Sequence, residues 1–187
     1  MKSILMSIRP NWCELIANGT KTIEVRKTKP KLEPPFKVYI YCTQEKGYND
    51  VLWCSGVIGR MSDKANGKVI GEFMCYDISE YESEFYPDDE QPVYESIAEW
   101  NAECEVWEAV ASNDDTYRTN FLKNTCLCLE DFRAYLGVGE IHFYGWHISD
   151  LKIYDKPKEL SEFGRIKGNV FNPLSRPPQS WCYVEEI

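Results

Sequence analysis

Ser7-Ile-Arg-Pro-Asn-Trp-Cys-Glu-Leu-Ile-Ala-Asn-Gly-Thr-Lys-Thr-Ile-Glu-Val-Arg26 is the stretch on which the reading of this chain turns, because its apolar period changes twice. Just before and into it, Ile4, Met6 and Ile8 alternate with Leu5, Ser7 and Arg9, the pattern of a strand whose second face turns polar. Pro10 suits the first turn of a helix, Trp12, Leu15 and Ile16 recur at helical spacing, and Asn18-Gly19 is a stop signal. Alternation then resumes over 22–27, with Ile23 and Val25 on one face and Thr22, Glu24 and Arg26 on the other. Glu24 and Arg26 therefore leave the same face roughly 7 Å apart, with Lys21 at the start of the strand. An acceptor flanked by two donors can hold a polar ring edge and a phosphate, or can form an internal ion-pair network.

Outward from this stretch most of the chain reads as β. Residues 29–35 carry three prolines and cannot pair within a sheet. Residues 36–42 alternate Phe36, Val38 and Ile40 with Lys37, Tyr39 and Tyr41, and residues 69–78 form the longest strand candidate, reached through glycines at 47, 56, 59 and 67. Residues 129–137 read as a short helix ending at Gly137. Residues 141–154 return to strand with a bulge at Ser149-Asp150, a loop follows Pro157, and residues 180–185 close the sheet. No Lys or Arg occurs from 69 to 117, while acids accumulate from Asp77 to Asp115. Ile97, Trp100, Cys104 and Trp107 approximate a helical stripe there, so the expectation is an acidic helical insert at approximately 80–120, serving as a lid, a dimer surface or a solubilising element.

With 187 residues and 43% hydrophobic content, one domain spanning 1–187 is expected. The first apolar run is too short for a signal peptide core, and no window approaches the ~20 apolar residues of a membrane span, so the expected location is cytoplasmic. Eight cysteines without repeated Cys-x-x-Cys spacing read as buried free thiols. The net charge of −9 argues against whole-surface attraction to nucleic acid. Residues 1–40 nevertheless carry eight basic and three acidic side chains, a basic start on an acidic body.

Glu72 is the second carboxylate of interest, since its parity places it with Ile70, Met74, Tyr76 and Ile78 on an apolar face. A cationic partner would keep it ionised; without one, burial would raise its pKa and suit it to proton transfer. Trp146 and His147 lie on opposite faces of one strand, and His142 shares the Trp146 face. Tyr41, Trp146 and Trp181 are candidate stacking walls. Two histidines and an isolated Cys126-x-Cys128 supply a metal site poorly, so no metal and no cofactor is expected.

The strand, helix and Gly-x-Lys-x-x-Glu-x-Arg arrangement at Gly19, Lys21, Glu24 and Arg26 resembles the opening of ASCH domains, members of the PUA-like superfamily and most like the small bacterial and prophage type. Val69-Ile-Gly-Glu-Phe73 and Tyr144-Gly-Trp-His-Ile-Ser-Asp-Leu-Lys-Ile-Tyr154 are similar to later strands of that family, leaving out the acidic insert. The resemblance implies an α+β fold: a PUA-like open β-barrel of about five to seven strands with short peripheral helices. It also implies binding of RNA, a nucleotide or a modified nucleoside, with Ser7, Arg9, Lys21, Glu24, Arg26, Tyr41, Trp146 and Trp181 as contacts. A single nucleotide or short single strand fits the acidic chain better than a long duplex. Some members are amidohydrolases of acylated cytidine that use a Lys, a Thr and a Glu, and ribonuclease activity has been attributed to an ASCH protein. The lysine matches Lys21, but Glu24 stands where the threonine nucleophile would be, leaving Lys21, Glu24 and Glu72 as the catalytic candidates. A third implied class is an acidic, phage-derived interaction module with a protein partner. The oligomeric state is left open.

Overall fold

The computed structural model describes residues 2–44, 53–54, 61–62, 65–86, 94–112, 120–137 and 139–186, and the glycines at 47, 56 and 59 lie outside them. In chain order the strands are β1 (Ser3–Ile8), β2 (Ile23–Arg26), β3 (Phe36–Cys42), β4 (Trp53–Cys54), β5 (Met61–Ser62), β6 (Val69–Cys75), β7 (Ile78–Tyr86), β8 (Tyr94–Asn101), β9 (Val106–Ser112), β10 (Gly139–His147), β11 (Ser149–Lys158), β12 (Phe163–Lys167), β13 (Val170–Pro173) and β14 (Trp181–Glu186). Three short α-helices accompany them: α1 (Pro10–Ala17), α2 (Asn120–Thr125) and α3 (Leu129–Leu136). The fold is α+β, built on mixed sheets.

The chain divides into two compact units. Residues 1–19, 35–76 and 148–187 form the first; residues 20–34 and 77–147 form the second. The first holds a seven-stranded sheet ordered β11-β6-β3-β1-β14-β12-β13, in which only the β1–β3 pair is parallel. Leu5, Tyr39, Tyr41, Val69, Phe163 and Val184 form one of its cores. α1 begins with Pro10 in its first turn and ends at Asn18, where Gly19 takes φ +78°, a left-handed conformation that glycine adopts without strain.

The second unit holds a five-stranded antiparallel sheet ordered β2-β10-β7-β8-β9. One face packs on α2 and α3 through Val25, Tyr81, Ile97, Phe121, Phe132, Leu136 and Phe143. Phe121, Phe132, Phe143 and Tyr81 meet ring to ring with centroids 4.6–6.2 Å apart, within the range in which offset and tilted aromatic pairs attract. Cys128 and Asp131 cap α3 reciprocally, each side chain accepting from the other's backbone N–H.

Among the described residues neither sheet pairs its first strand with its last, so neither closes into a barrel. Two expectations are corrected. The acidic helical insert is not helical where it is described: residues 94–112 form the β8–β9 hairpin, with Trp100 opposite Trp107. Its turn explains the misreading. Asn101 Oδ1 accepts from the N–H groups of Glu103 and Cys104, and Glu105 takes φ +54°, so the chain reverses at Cys104, a member of the supposed stripe. Second, the strand over 69–78 ends at Cys75, and residues 141–154 run through two strands, β10 and β11; the bulge expected at Ser149-Asp150 is present as a register shift between Ser149 and Lys152, beside Asp150 with φ +47°.

Gly145 faces Val25 across β10–β2, and a Cβ there would fall 2.7 Å from the Tyr81 ring and 2.9 Å from Ile23 Cγ2. Gly145→Ala is expected to lower stability by about 1–3 kcal/mol through overpacking. Urea unfolding would show a lower midpoint at unchanged slope; an unchanged midpoint would mean that the core yields without cost.

Candidate functional site

β2 is four residues long and lies at the edge of the second sheet, where β10 is its neighbour. Register sets its chemistry. Glu24 pairs with Trp146 and Arg26 with Tyr144, so these four side chains share a face, opposite the one on which Val25 enters the core. The sequence expectation that Glu24 and Arg26 project together from a strand, with Lys21 at its start, is met by the geometry. Their burial is the added fact: Lys21 is 2% exposed, Glu24 4% and Arg26 7%.

The Glu24 carboxylate bridges the two cations. Oε1 accepts from Arg26 Nη1, which also donates to the Val25 carbonyl at 2.8 Å, and Oε2 lies 3.4 Å from Lys21 Nζ. Lys21 Nζ donates in addition to the carbonyl of Thr125, and Thr22 N–H donates to the carbonyl of Asn124 at 2.9 Å. Both carbonyls belong to the last turn of α2, where helical carbonyls lack intrahelical partners and attract cations. The cluster thus joins the edge strand to a helix end. Two buried cations meet one carboxylate in a low-dielectric setting, where each charge depends on its partners. Burial holds the Lys21 pKa below its ordinary value, with Glu24 opposing that shift and Arg26 adding to it. A lysine that releases its proton readily can act as acid or base.

Trp146 is fully buried and backs the cluster, while Tyr144 beside it is half-buried. On the opposite face of β10, His147 Nε2 is 2.9 Å from Ser79 Oγ, while His142, on the Trp146 face, is exposed. The other candidates belong to the first unit. Ser7 Oγ donates to the Pro178 carbonyl at 2.7 Å, Arg9 is exposed at the start of α1, Tyr41 is buried, and half-buried Trp181 meets Tyr183 edge-on at 5.6 Å.

Glu72 is there too, with partners that alternation did not reveal. Tyr154 Oη donates to Oε2 at 2.6 Å and Lys37 Nζ to Oε1 at 3.2 Å. Burial pushes the Glu72 pKa up, but these hydrogen bonds outweigh it and hold the carboxyl below its ordinary value. It is an ionised acceptor at neutral pH. No periodicity could have pointed to Tyr154 or Thr125, since each meets its partner across 82 or 104 residues of chain.

Among the described cysteines Cys13, Cys42 and Cys75 are buried as expected, whereas Cys104 and Cys128 are exposed, the latter serving as a helix cap. Among the described residues no three His, Cys, Asp or Glu side chains are grouped to hold a metal, and no helix is long and apolar enough to cross a membrane.

The ASCH domain family model matches residues 6–112, a span that runs into the acidic segment as well as the β2 motif. Solved structures of an ASCH protein from Zymomonas mobilis are similar to this chain. The unmodified protein is 17% identical with a TM-score of 0.53, covering 98% of this chain and 87% of its own. Its tyrosine-to-phenylalanine variant gives 16%, 0.54, 99% and 91%; its serine-to-alanine variant gives 16%, 0.52, 98% and 88%. The likeness is one of fold. No curated protein sequence matches.

Glu24→Gln takes the shared anion from two buried cations and is expected to cost about 3–5 kcal/mol, whereas Lys21→Met leaves the Arg26–Glu24 pair intact and is expected to cost less. The folded chain binds the Lys21 proton less readily than the unfolded chain, so unfolding takes up protons between the lowered value and the ordinary 10.5. Wild-type stability relative to Lys21→Met should therefore rise with pH across that window. Denaturant titrations at several pH values check this; a pH-independent difference would mean that folding leaves the Lys21 pKa unshifted.

Proposed function

Because the chain belongs to the ASCH domain family, we propose that it binds RNA or a nucleotide, and that it reads a single nucleotide or short single strand at Lys21, Glu24 and Arg26. The observation that carries this reading is the grouping of two cationic side chains and one carboxylate at one short edge strand. The cations are donors for a phosphate or the acceptor edge of a base, and Glu24 accepts from an exocyclic amine. The guanidinium of Arg26 is a planar fork suited to either group. Exposed Thr20, Thr22 and Lys27 flank the cluster along the chain, and half-buried Tyr144 offers a ring for stacking.

A hydrolytic reading is supported by one observation, the lowered pKa of Lys21. In its neutral form that amine accepts a proton from water attacking an acyl or phosphoryl centre. Glu24 in the place of a hydroxyl nucleophile makes water the nucleophile of this scheme.

Binding is tested by titrating nucleosides, nucleotides and short single-stranded RNAs against wild type, Lys21→Met and Arg26→Gln, with melting curves verifying that each variant is folded. The expected outcome is a fall in affinity of roughly tenfold or more in either variant, as for removal of a charged hydrogen-bond donor. Equal binding by all three would remove the cluster from the site. Incubation with acylated cytidine and with labelled RNA separates the hydrolase: product that appears with wild type and not with Lys21→Met supports it, and no product with either leaves binding alone.

A further inference from the structure

β2, β10 and β7 are neighbouring strands of the second sheet, and their register sets three side chains in a row across one face. Arg26 is directly opposite Tyr144 across β2–β10, and Tyr144 is directly opposite Glu80 across β10–β7. Directly opposed residues have Cβ atoms about 5 Å apart, so the row continues the Glu24–Arg26 face toward the middle of the sheet. Lys29 reaches this row from the loop that follows β2. Its Nζ lies 5.2 Å from the Tyr144 ring centroid and donates to Glu80 Oε1. Pro30, next in the chain, is buried and anchors the loop, whereas the Lys29 and Glu80 side chains are 45% and 39% exposed.

An exposed ion pair of this kind adds little to stability, because its attraction is screened and two long side chains are ordered to make it. Its place matters more than its strength. The ammonium lies against the one half-buried ring that stands beside the Arg26 guanidinium. Hydrogen bonding to Glu80 holds the Lys29 pKa above its ordinary value, so the amine is cationic at neutral pH. A ligand with a flat ring displaces that ammonium from Tyr144, and a ligand anion replaces the Glu80 carboxylate as its partner; both contacts are weak where water has access. The four-carbon stem lets Lys29 move aside while it holds the anion. Glu80, already exposed to water, is released at little cost. The remaining acids limit the charge of the ligand: Glu33 acts on Lys29 electrostatically, and Glu82 lies further along the Glu80 face, opposite His142. Such surroundings oppose a long polyanion and accommodate a single phosphate.

We propose that Lys29 is a phosphate contact for a nucleoside monophosphate whose base stacks on Tyr144, and that Glu80 competes with this phosphate for the lysine. The inference rests on the nucleotide-binding reading given above and deepens it, from nucleotides in general to monophosphates in preference to nucleosides. Tyr144 supplies the stacking surface, Arg26 next to it the donors for a base edge, and Lys29 the charge.

The test is a calorimetric titration of the four ribonucleoside 5′-monophosphates and the matching nucleosides into the whole protein. The proteins are wild type, Lys29→Gln, Glu80→Gln, Tyr144→Leu and a control, Lys31→Gln, which removes an exposed lysine of the same loop; melting curves verify that each is folded. Wild type should bind its preferred monophosphate about tenfold more tightly than the nucleoside, as for a hydrogen bond between charged groups. Lys29→Gln should bring that ratio close to one without weakening the nucleoside. Glu80→Gln should tighten the monophosphate by about two- to fivefold, the range of an exposed ion pair, and the nucleoside by less. Tyr144→Leu should weaken both ligands by about tenfold through lost stacking, and the control should match wild type. If wild type binds no nucleoside, monophosphate or short RNA, the nucleotide-binding reading fails and this inference with it. If wild type binds but does not prefer monophosphates, if Lys29→Gln keeps the preference, or if Glu80→Gln weakens the monophosphate, this inference alone is overturned.

Discussion

A carboxylate held between two cations and almost fully shielded from solvent is the constraint on which the second unit depends. Glu24 lies between Lys21 and Arg26, and Lys21 also reaches the carbonyl that ends α2. β2 has only four residues and a single neighbouring strand, too little backbone pairing to fix an edge by itself. Its position is set from both faces: Val25 enters the aromatic core with Phe121, Phe132 and Phe143, and the ion cluster holds the other side. An apolar cluster of the same volume would do that second job at no desolvation cost, so a buried ionic group is expensive as a purely structural device. Where local chemistry departs from what stability alone favours, function is the usual reason.

Charge separation along the chain gives the protein two characters. The acidic excess belongs to the second unit, and the first unit is slightly basic. A whole-chain net charge therefore hides the local field that a ligand meets, which falls off over roughly 10 Å at ordinary ionic strength. Lys37 illustrates how tightly such a field is built. One side chain neutralises Glu72 and lies over Tyr39, keeping a carboxylate ionised and an aromatic ring covered.

Much of this was legible in the sequence where short-range rules govern. The Pro10 start and Asn18-Gly19 stop of α1, the limits of β3 at Phe36 and Cys42, the Gly137 end of α3 and the break at Ser149-Asp150 follow from capping, alternation and turn chemistry. The parity that put Glu24 and Arg26 on one face also held. Long-range facts were not legible. Ile97, Trp100 and Cys104 fit a helical period as well as a hairpin, and Asn101 at the turn was the residue that decided between them. The lysine partner at Thr125 and the Glu72 partners at Tyr154 and Lys37 are set by sheet order, which alternation does not encode. Nor does alternation say that the strands divide between separate sheets.

The most direct test of the account is photo-cross-linking of the whole protein to a short RNA carrying a photoreactive uridine, with the modified peptides identified by mass spectrometry. The account predicts adducts on the peptides that carry β2 and its flanks, with Lys21 to Lys27. Adducts confined to the acidic β7, β8 and β9 strands, or none under conditions where RNA is bound, would contradict it.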